Sequence, residues 1–213
     1  MFPHNACWND LLVIYWGLRT PFFMDIFAVK VVKKADPEFS TYKDDLVEWI
    51  YKYKDRNEGV QLSNQHGWQS ESGFYMEEES FNPFWEDLWR LITETTKEYS
   101  TGIELGEMIR QGYGIKLLNL WISVNPPGAY NKTHVHPGAL LSGVIWIDFP
   151  EDSGDFYFRN PNEMNSHCLA PSVAKIKPVE GDCILFPAYI PHEVSENESD
   201  VDRISISFNL DID

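Results

Sequence analysis

Hydrophobic positions recur at two different spacings along this chain, and the change falls near Gly114. In residues 39–59, "FSTYKDDLVEWIYKYKDRNEG", the apolar positions Leu46, Trp49, Ile50 and Tyr53 follow helical spacing, with Ser40 or Thr41 placed to cap the start. In residues 80–100, "SFNPFWEDLWRLITETTKEYS", Phe84, Trp85, Leu88, Trp89 and Ile92 form one broad apolar face. Asn82 is the expected cap of this second helix and Pro83 a first-turn residue. From Gly114 onward the apolar runs shorten and become β-branched and aromatic: "GIKLLNLWISVN", "LSGVIWIDF", "GDFYFRN", "VAKIKPV", "DCILFP" and "RISISFNLDI". Pro, Gly, Asn and Asp punctuate them. Helices followed by many short strands predict an α+β fold: a double-stranded β-helix, that is, a jelly roll of cupin-like form, with the N-terminal helices packed on the sheet.

The first 23 residues stand apart. Their apolar run, LLVIYWGL, is too short to span a bilayer, and no basic stretch with a small-residue cleavage site accompanies it. The reading is an N-terminal extension, residues 1–23, before a domain of residues 24–213 whose first strand signal is "MDIFAVKVVKK". Packing of Leu11 to Trp16 onto a helix is the alternative to leaving them exposed.

Composition narrows the function. With 213 residues, 43% hydrophobic and 15% aromatic, the chain suits a single globular domain with a real core. A formal net charge of −16 argues against a grip on a nucleic-acid polymer, which needs clustered Lys and Arg. Cys7, Cys168 and Cys183 form no Cys-x-x-Cys pair and no even framework, so a reducing, cytoplasmic setting is expected. No membrane partner is expected; a homodimer is compatible with the sequence.

Candidate chemistry centres on "NKTHVHPGALL", where His134 and His136 stand one residue apart. Side chains at i and i+2 of an extended segment share a face, so both imidazoles can reach one metal ion. A third, His192, follows a turn at Gly181-Asp182, a buried strand from Cys183 to Phe186 and a proline-bounded loop. Eleven residues on, Arg203 and Ser205 share a strand face. If that face looks inward, the buried guanidinium requires an anion, and an organic carboxylate is the obvious one.

These residues resemble the 2-oxoglutarate and Fe(II)-dependent oxygenases, whose signature is His-x-Asp/Glu, a distal His and, about ten residues later, Arg-x-Ser. "VNPPGAYNKTHVH" and "GVIWIDFPEDSGDFYF" are similar to strands of the prolyl-hydroxylase-like branch. Asn131, His134, His136, Pro137, Ser142, Gly143 and Val144, with "SNQHGWQS" upstream, resemble a phage- and bacterium-associated oxygenase group over residues 60–211. The resemblance implies Fe(II) held by His134, His136 and His192, and 2-oxoglutarate held by Arg203 and Ser205. It puts Asn125 and Tyr130 at or near the cosubstrate pocket. The implied reaction is hydroxylation of a small-molecule or peptide substrate, with release of succinate and CO2. One departure is evident: His136 occupies the usual carboxylate position. Either the centre is a three-histidine one, or Asp155 or Glu193 completes it; three neutral imidazoles would leave the full divalent charge on the ion. Two rivals remain open, a three-histidine cupin-type dioxygenase that does not use 2-oxoglutarate and a noncatalytic jelly-roll binding module. His66 and Trp68 read as part of a loop over the barrel mouth or as a surface connector, and Arg159 as an exposed strand end.

Overall fold

The computed structural model describes residues 28–101, 104–161 and 172–213. The expected boundary at Met24, along with Cys7 and Cys168, lies outside the described residues. Strand β1 (Val32–Ala35) precedes helix α1 (Lys43–Asp55), the short strands β2 (Asn64–Gln65) and β3 (Trp68–Gln69), and helices α2 (Asn82–Ser100) and α3 (Glu104–Arg110). The barrel strands follow as β4 (Ile115–Asn125), β5 (Tyr130–His134), β6 (Leu141–Asp148) and β7 (Phe156–Arg159). They continue with β8 (Val173–Ile176), β9 (Asp182–Pro187), β10 (His192–Val194) and β11 (Arg203–Ile212). They form two antiparallel sheets, ordered β1-β9-β6-β11-β4-β3 and β2-β5-β10-β7-β8. This is the expected double-stranded β-helix with helices on one face. No helix among the described residues is long and apolar enough to cross a membrane.

The helix starts differ from expectation. Phe39–Thr41 forms a 3-10 turn that leads into α1 through Tyr42, so neither Ser40 nor Thr41 caps the helix. Asn82 is already helical, Phe81 occupies the cap position, and no side chain caps either helix. Phe81 is fully buried, so packing fixes this end where a polar cap would otherwise satisfy the amides. On α2 the buried stripe is Leu88, Leu91, Ile92 and Tyr99; Phe84, Trp85 and Trp89 are half-buried at its margin. Thr95 and Thr96 enter the core because their hydroxyls donate back to the Leu91 and Ile92 carbonyls, at 2.7 and 2.8 Å.

Strands β4 and β11 explain where the core sits. Their apolar set, Leu120, Ile122 and Val124 with Ile204, Ile206, Phe208 and Leu210, is buried against the helices. Each such side chain contributes roughly 1.5–3 kcal/mol on burial. The alternate set is polar and points the other way: Asn119, Trp121, Ser123 and Asn125 on β4, Arg203, Ser205, Ser207 and Asn209 on β11. The strand period of two thus gives each strand one face in the hydrophobic core and one in the barrel interior. A smaller apolar cluster of Trp146, Phe156, Phe158, Phe186 and Ile190 closes the interior behind His192.

Candidate metal centre

The barrel encloses a cavity of about 370 Å³ whose lining includes His134, His136, His192 and Arg203. His134 ends β5 and lies opposite His192, which opens β10. The proline-bounded loop before it ends at Pro191, and the ladder itself holds His192. His136 sits just beyond β5, its backbone N–H donating to the Ala188 carbonyl at 3.0 Å. One ligand nitrogen from each ring lies within 4.8 Å of the others.

Backbone carbonyls select the tautomers. His134 Nδ1 lies 2.7 Å from the Lys132 carbonyl and His192 Nδ1 lies 2.9 Å from that of Ile190. A carbonyl only accepts, so each Nδ1 carries the proton and each Nε2 keeps its lone pair for a metal. His136 Nε2 and His192 Nε2 are 3.2 Å apart. Two nitrogens each bound at ~2.1 Å to one ion at right angles would lie about 3 Å apart, so this pair fits a shared cation. Burial holds all three imidazoles neutral, the state a ligand needs. It lowers the pKa of His134, and with help from the neighbouring rings pushes His136 down to about 4 and His192 to about 3.

Neither alternative carboxylate joins them. Glu193 accepts from Arg159 at 2.6 Å and from Thr133, on the next face of β10. Asp155 is paired with Lys175 at 2.5 Å. Arg159 is an exposed strand end, as expected, and Glu193 is its partner.

Arg203 is 1% exposed. Its Nη1 donates to the carbonyls of Ser153 and Ser195, at 2.5 and 2.6 Å, while Nη2 has no partner among the described residues. No carboxylate of the described residues pairs with it. Burial pushes its pKa down to about 10, which still leaves it charged at neutral pH. Gly154 makes the approach possible: it has φ +101°, and a Cβ there would sit 2.6 Å from Arg203 Nη1. Ser205 and Asn125 also line the cavity, and Asn125 lies opposite Arg203 across the β4–β11 ladder.

Tyr130 is not brought to the cavity. Between the His192–His134 and Val194–Asn131 pairs β5 has one more residue than β10, a bulge that breaks alternation. Asn131 and His134 consequently share the inner face, and Tyr130 turns to an outer concavity beside Thr133 and Glu193. Asn131, whose Oδ1 accepts from Asn125 Nδ2 at 3.1 Å, stands where Tyr130 was expected. The spacing of the sequence carried no signal for that bulge. Segment 63–70 bridges the sheets, β2 pairing with β5 and β3 with β4. Ser63 and Gln69 line the cavity; His66 lies outside it, and the Trp68 indole donates to Asn57 O at 2.9 Å.

Residues 119–209 match the family described as "Putative 2OG-Fe(II) oxygenase". No curated protein matches the sequence. Among solved structures, the chain is similar to a prolyl hydroxylase from Trichoplax adhaerens in complex with a hypoxia inducible factor peptide fragment. That similarity has a TM-score of 0.61 at 17% identity, over 84% of this chain and 82% of that one. It is also similar to a Pseudomonas putida prolyl-4-hydroxylase, at TM-score 0.54 and 14% identity over 85% and 92% of the two chains. A third, HygX from Streptomyces hygroscopicus with nickel and 2-oxoglutarate bound, gives 0.52 at 10% identity over 85% and 82%. The family match spans residues 119–209, and the likeness to these structures establishes the double-stranded β-helix fold, inside which this chain carries its histidine cluster.

Proposed function

We propose that the protein is an Fe(II)- and 2-oxoglutarate-dependent oxygenase that hydroxylates its substrate, and that its metal is held by three histidines and no carboxylate. The observation that carries this reading is that a cluster of three histidines and a buried guanidinium line one cavity. Three neutral imidazoles bring ring nitrogens within 4.8 Å of one another, and the Arg203 Nη2 has no partner among the described residues. In this reading His134, His136 and His192 hold Fe(II), which supplies the activation of dioxygen coupled to decarboxylation of the oxo acid to succinate and CO2. Arg203 pairs with the distal carboxylate of 2-oxoglutarate, Ser205 adds a hydrogen bond, and Asn125 and Asn131 orient the group from the facing strands. The Phe156 and Phe186 rings beside His192 keep water from its outer edge. HygX, the neighbour with nickel and 2-oxoglutarate bound, supports the same pairing of ligands here.

Metal analysis of single alanine variants is the test. The wild type should bind one divalent ion, and His134→Ala, His136→Ala and His192→Ala should each lose at least about tenfold in affinity. Unchanged metal content in the His136 variant would replace the three-histidine centre with one completed by another group. The cupin-type alternative, in which Arg203 binds a substrate acid directly, predicts metal binding without binding of 2-oxoglutarate.

A further inference from the structure

The polar stripe of the barrel does not end at the metal. Along β11 the inward residues are Arg203, Ser205, Ser207 and Asn209, and across the β4 ladder they face Asn125, Ser123, Trp121 and Asn119 in turn. The Trp121 ring lies 5.5 Å from that of His136, so the metal centre is level with the Ser207–Trp121 step. Asn209 and Asn119 are one step further from Arg203, about 7 Å beyond. On the other side of β11, Asn209 faces Ser142 of β6. The cavity therefore has two polar ends with the histidines between them.

The far end is built for hydrogen bonds and carries no ion. Asn209 is 6% exposed; its Nδ2 donates to Asn119 Oδ1 at 2.8 Å, while its Oδ1 is buried without a partner among the described residues. An unpaired buried amide oxygen is costly and is relieved by a donor. Among the described residues lining the cavity, Arg203 is the one permanently charged side chain. Once it is paired with the oxo acid, a charged substrate would have no side-chain counter-ion, and desolvating it would be unfavourable. An acid's remaining attraction would be the metal itself.

We infer that the Asn209–Asn119 end is the substrate subsite, and that it selects an uncharged amide-bearing substrate over free amino acids and organic acids. The substrate N–H donates to Asn209 Oδ1, and its carbonyl accepts from the Ser207 hydroxyl. This rests on the oxygenase reading for the occupation of Arg203, and the two are separable by experiment.

The Zn(II)-loaded protein, saturated with 2-oxoglutarate and incapable of turnover, is titrated by saturation-transfer NMR with N-acetyl-L-alaninamide, N-acetyl-L-alanine and L-alanine. The neutral amide should bind about tenfold or more tightly than the anion and the zwitterion, the effect of one well-placed hydrogen bond. Asn209→Leu should remove that preference while 2-oxoglutarate binding persists. If the Leu variant lacks a cooperative melting transition, Asn119→Leu, which withdraws the partner that orients Asn209, carries the same expectation. Equal or tighter binding of N-acetyl-L-alanine or L-alanine, no binding of the amide, or a preference that survives substitution overturns the subsite. Failure of 2-oxoglutarate to bind while the amide still binds through Asn209 sinks the oxygenase reading and leaves the subsite standing.

Discussion

At the scale of single residues, Arg203 and the glycine beside it show how a charge can be kept inside a barrel. Two carbonyls hold one end of the guanidinium, and Nη2 at the other end has no partner among the described residues. A methyl group on Gly154 would lie 2.6 Å from Nη1, the end the carbonyls hold, and 2.7 Å from the Ser195 carbonyl oxygen, displacing the guanidinium, and would also strain the positive φ of that residue. Gly154→Ala should therefore weaken 2-oxoglutarate binding at least about tenfold while leaving metal content unchanged, as isothermal titration beside metal analysis will report; unaltered affinity would remove Gly154 from the cradle. Cys183 is the opposite kind of buried group, fully enclosed and with its thiol pKa pushed up to about 12 by burial. An unfolded cysteine ionises near 8.5, so above that pH the unfolded chain loses a proton that the native chain keeps. Its contribution to stability is thus present below about pH 8.5 and is lost as pH rises toward 12. Peptide mapping after iodoacetamide treatment of the native protein at pH 9 should find Cys183 unmodified, and rapid alkylation would contradict its burial. The His-x-His pair and the Arg-x-Ser pair were both visible in the sequence, because period-two geometry follows from spacing alone. Asn131 was visible only as part of the motif; its place in the cavity was not, because the bulge that turns it inward depends on pairing with β10.

At the scale of elements, the alternation of β4 and β11 does two jobs with one pattern. "RISISFNL" sends Ile204, Ile206, Phe208 and Leu210 to the helices and Arg203, Ser205, Ser207 and Asn209 to the cavity. The bounds of these two strands could be read from the sequence almost to the residue. The caps of α1 and α2 could not, since tertiary packing of Phe39 and Phe81 fixes those ends. Strands β6 and β11 pair side by side, and Gly143, opposite Phe208, leaves room for the Phe208 ring, 2.2 Å from the position a Cβ would take, with Ile184 O at 2.8 Å. Both neighbours lie in the packed sheet and have little room to withdraw. Gly143→Ala should destabilise the protein by about 1–3 kcal/mol in urea unfolding. A variant as stable as wild type would mean that the sheet is looser there than its packing indicates.

At the scale of the whole molecule, the helices stabilise one sheet from outside so that the barrel interior is free to be polar. That division explains how a chain with a substantial apolar core also holds an inner surface of Ser, Asn, His and Arg. The class of fold was legible because strand runs and helix faces are local signals. The two-ended cavity was not, because it arises from the register of β4, β6 and β11 together. The central claim is that three histidines and Arg203 bind one metal and one oxo acid as a unit. Its most direct measurement is the visible spectrum after anaerobic addition of Fe(II) and 2-oxoglutarate, for the wild type and for Arg203→Ala. The wild type should show the weak charge-transfer band of a chelated keto acid, and the variant should need far more 2-oxoglutarate to reach it, a loss of about 2–5 kcal/mol for a desolvated ion pair. A band that titrates identically in both proteins, or no band in the metal-loaded wild type, would contradict the account.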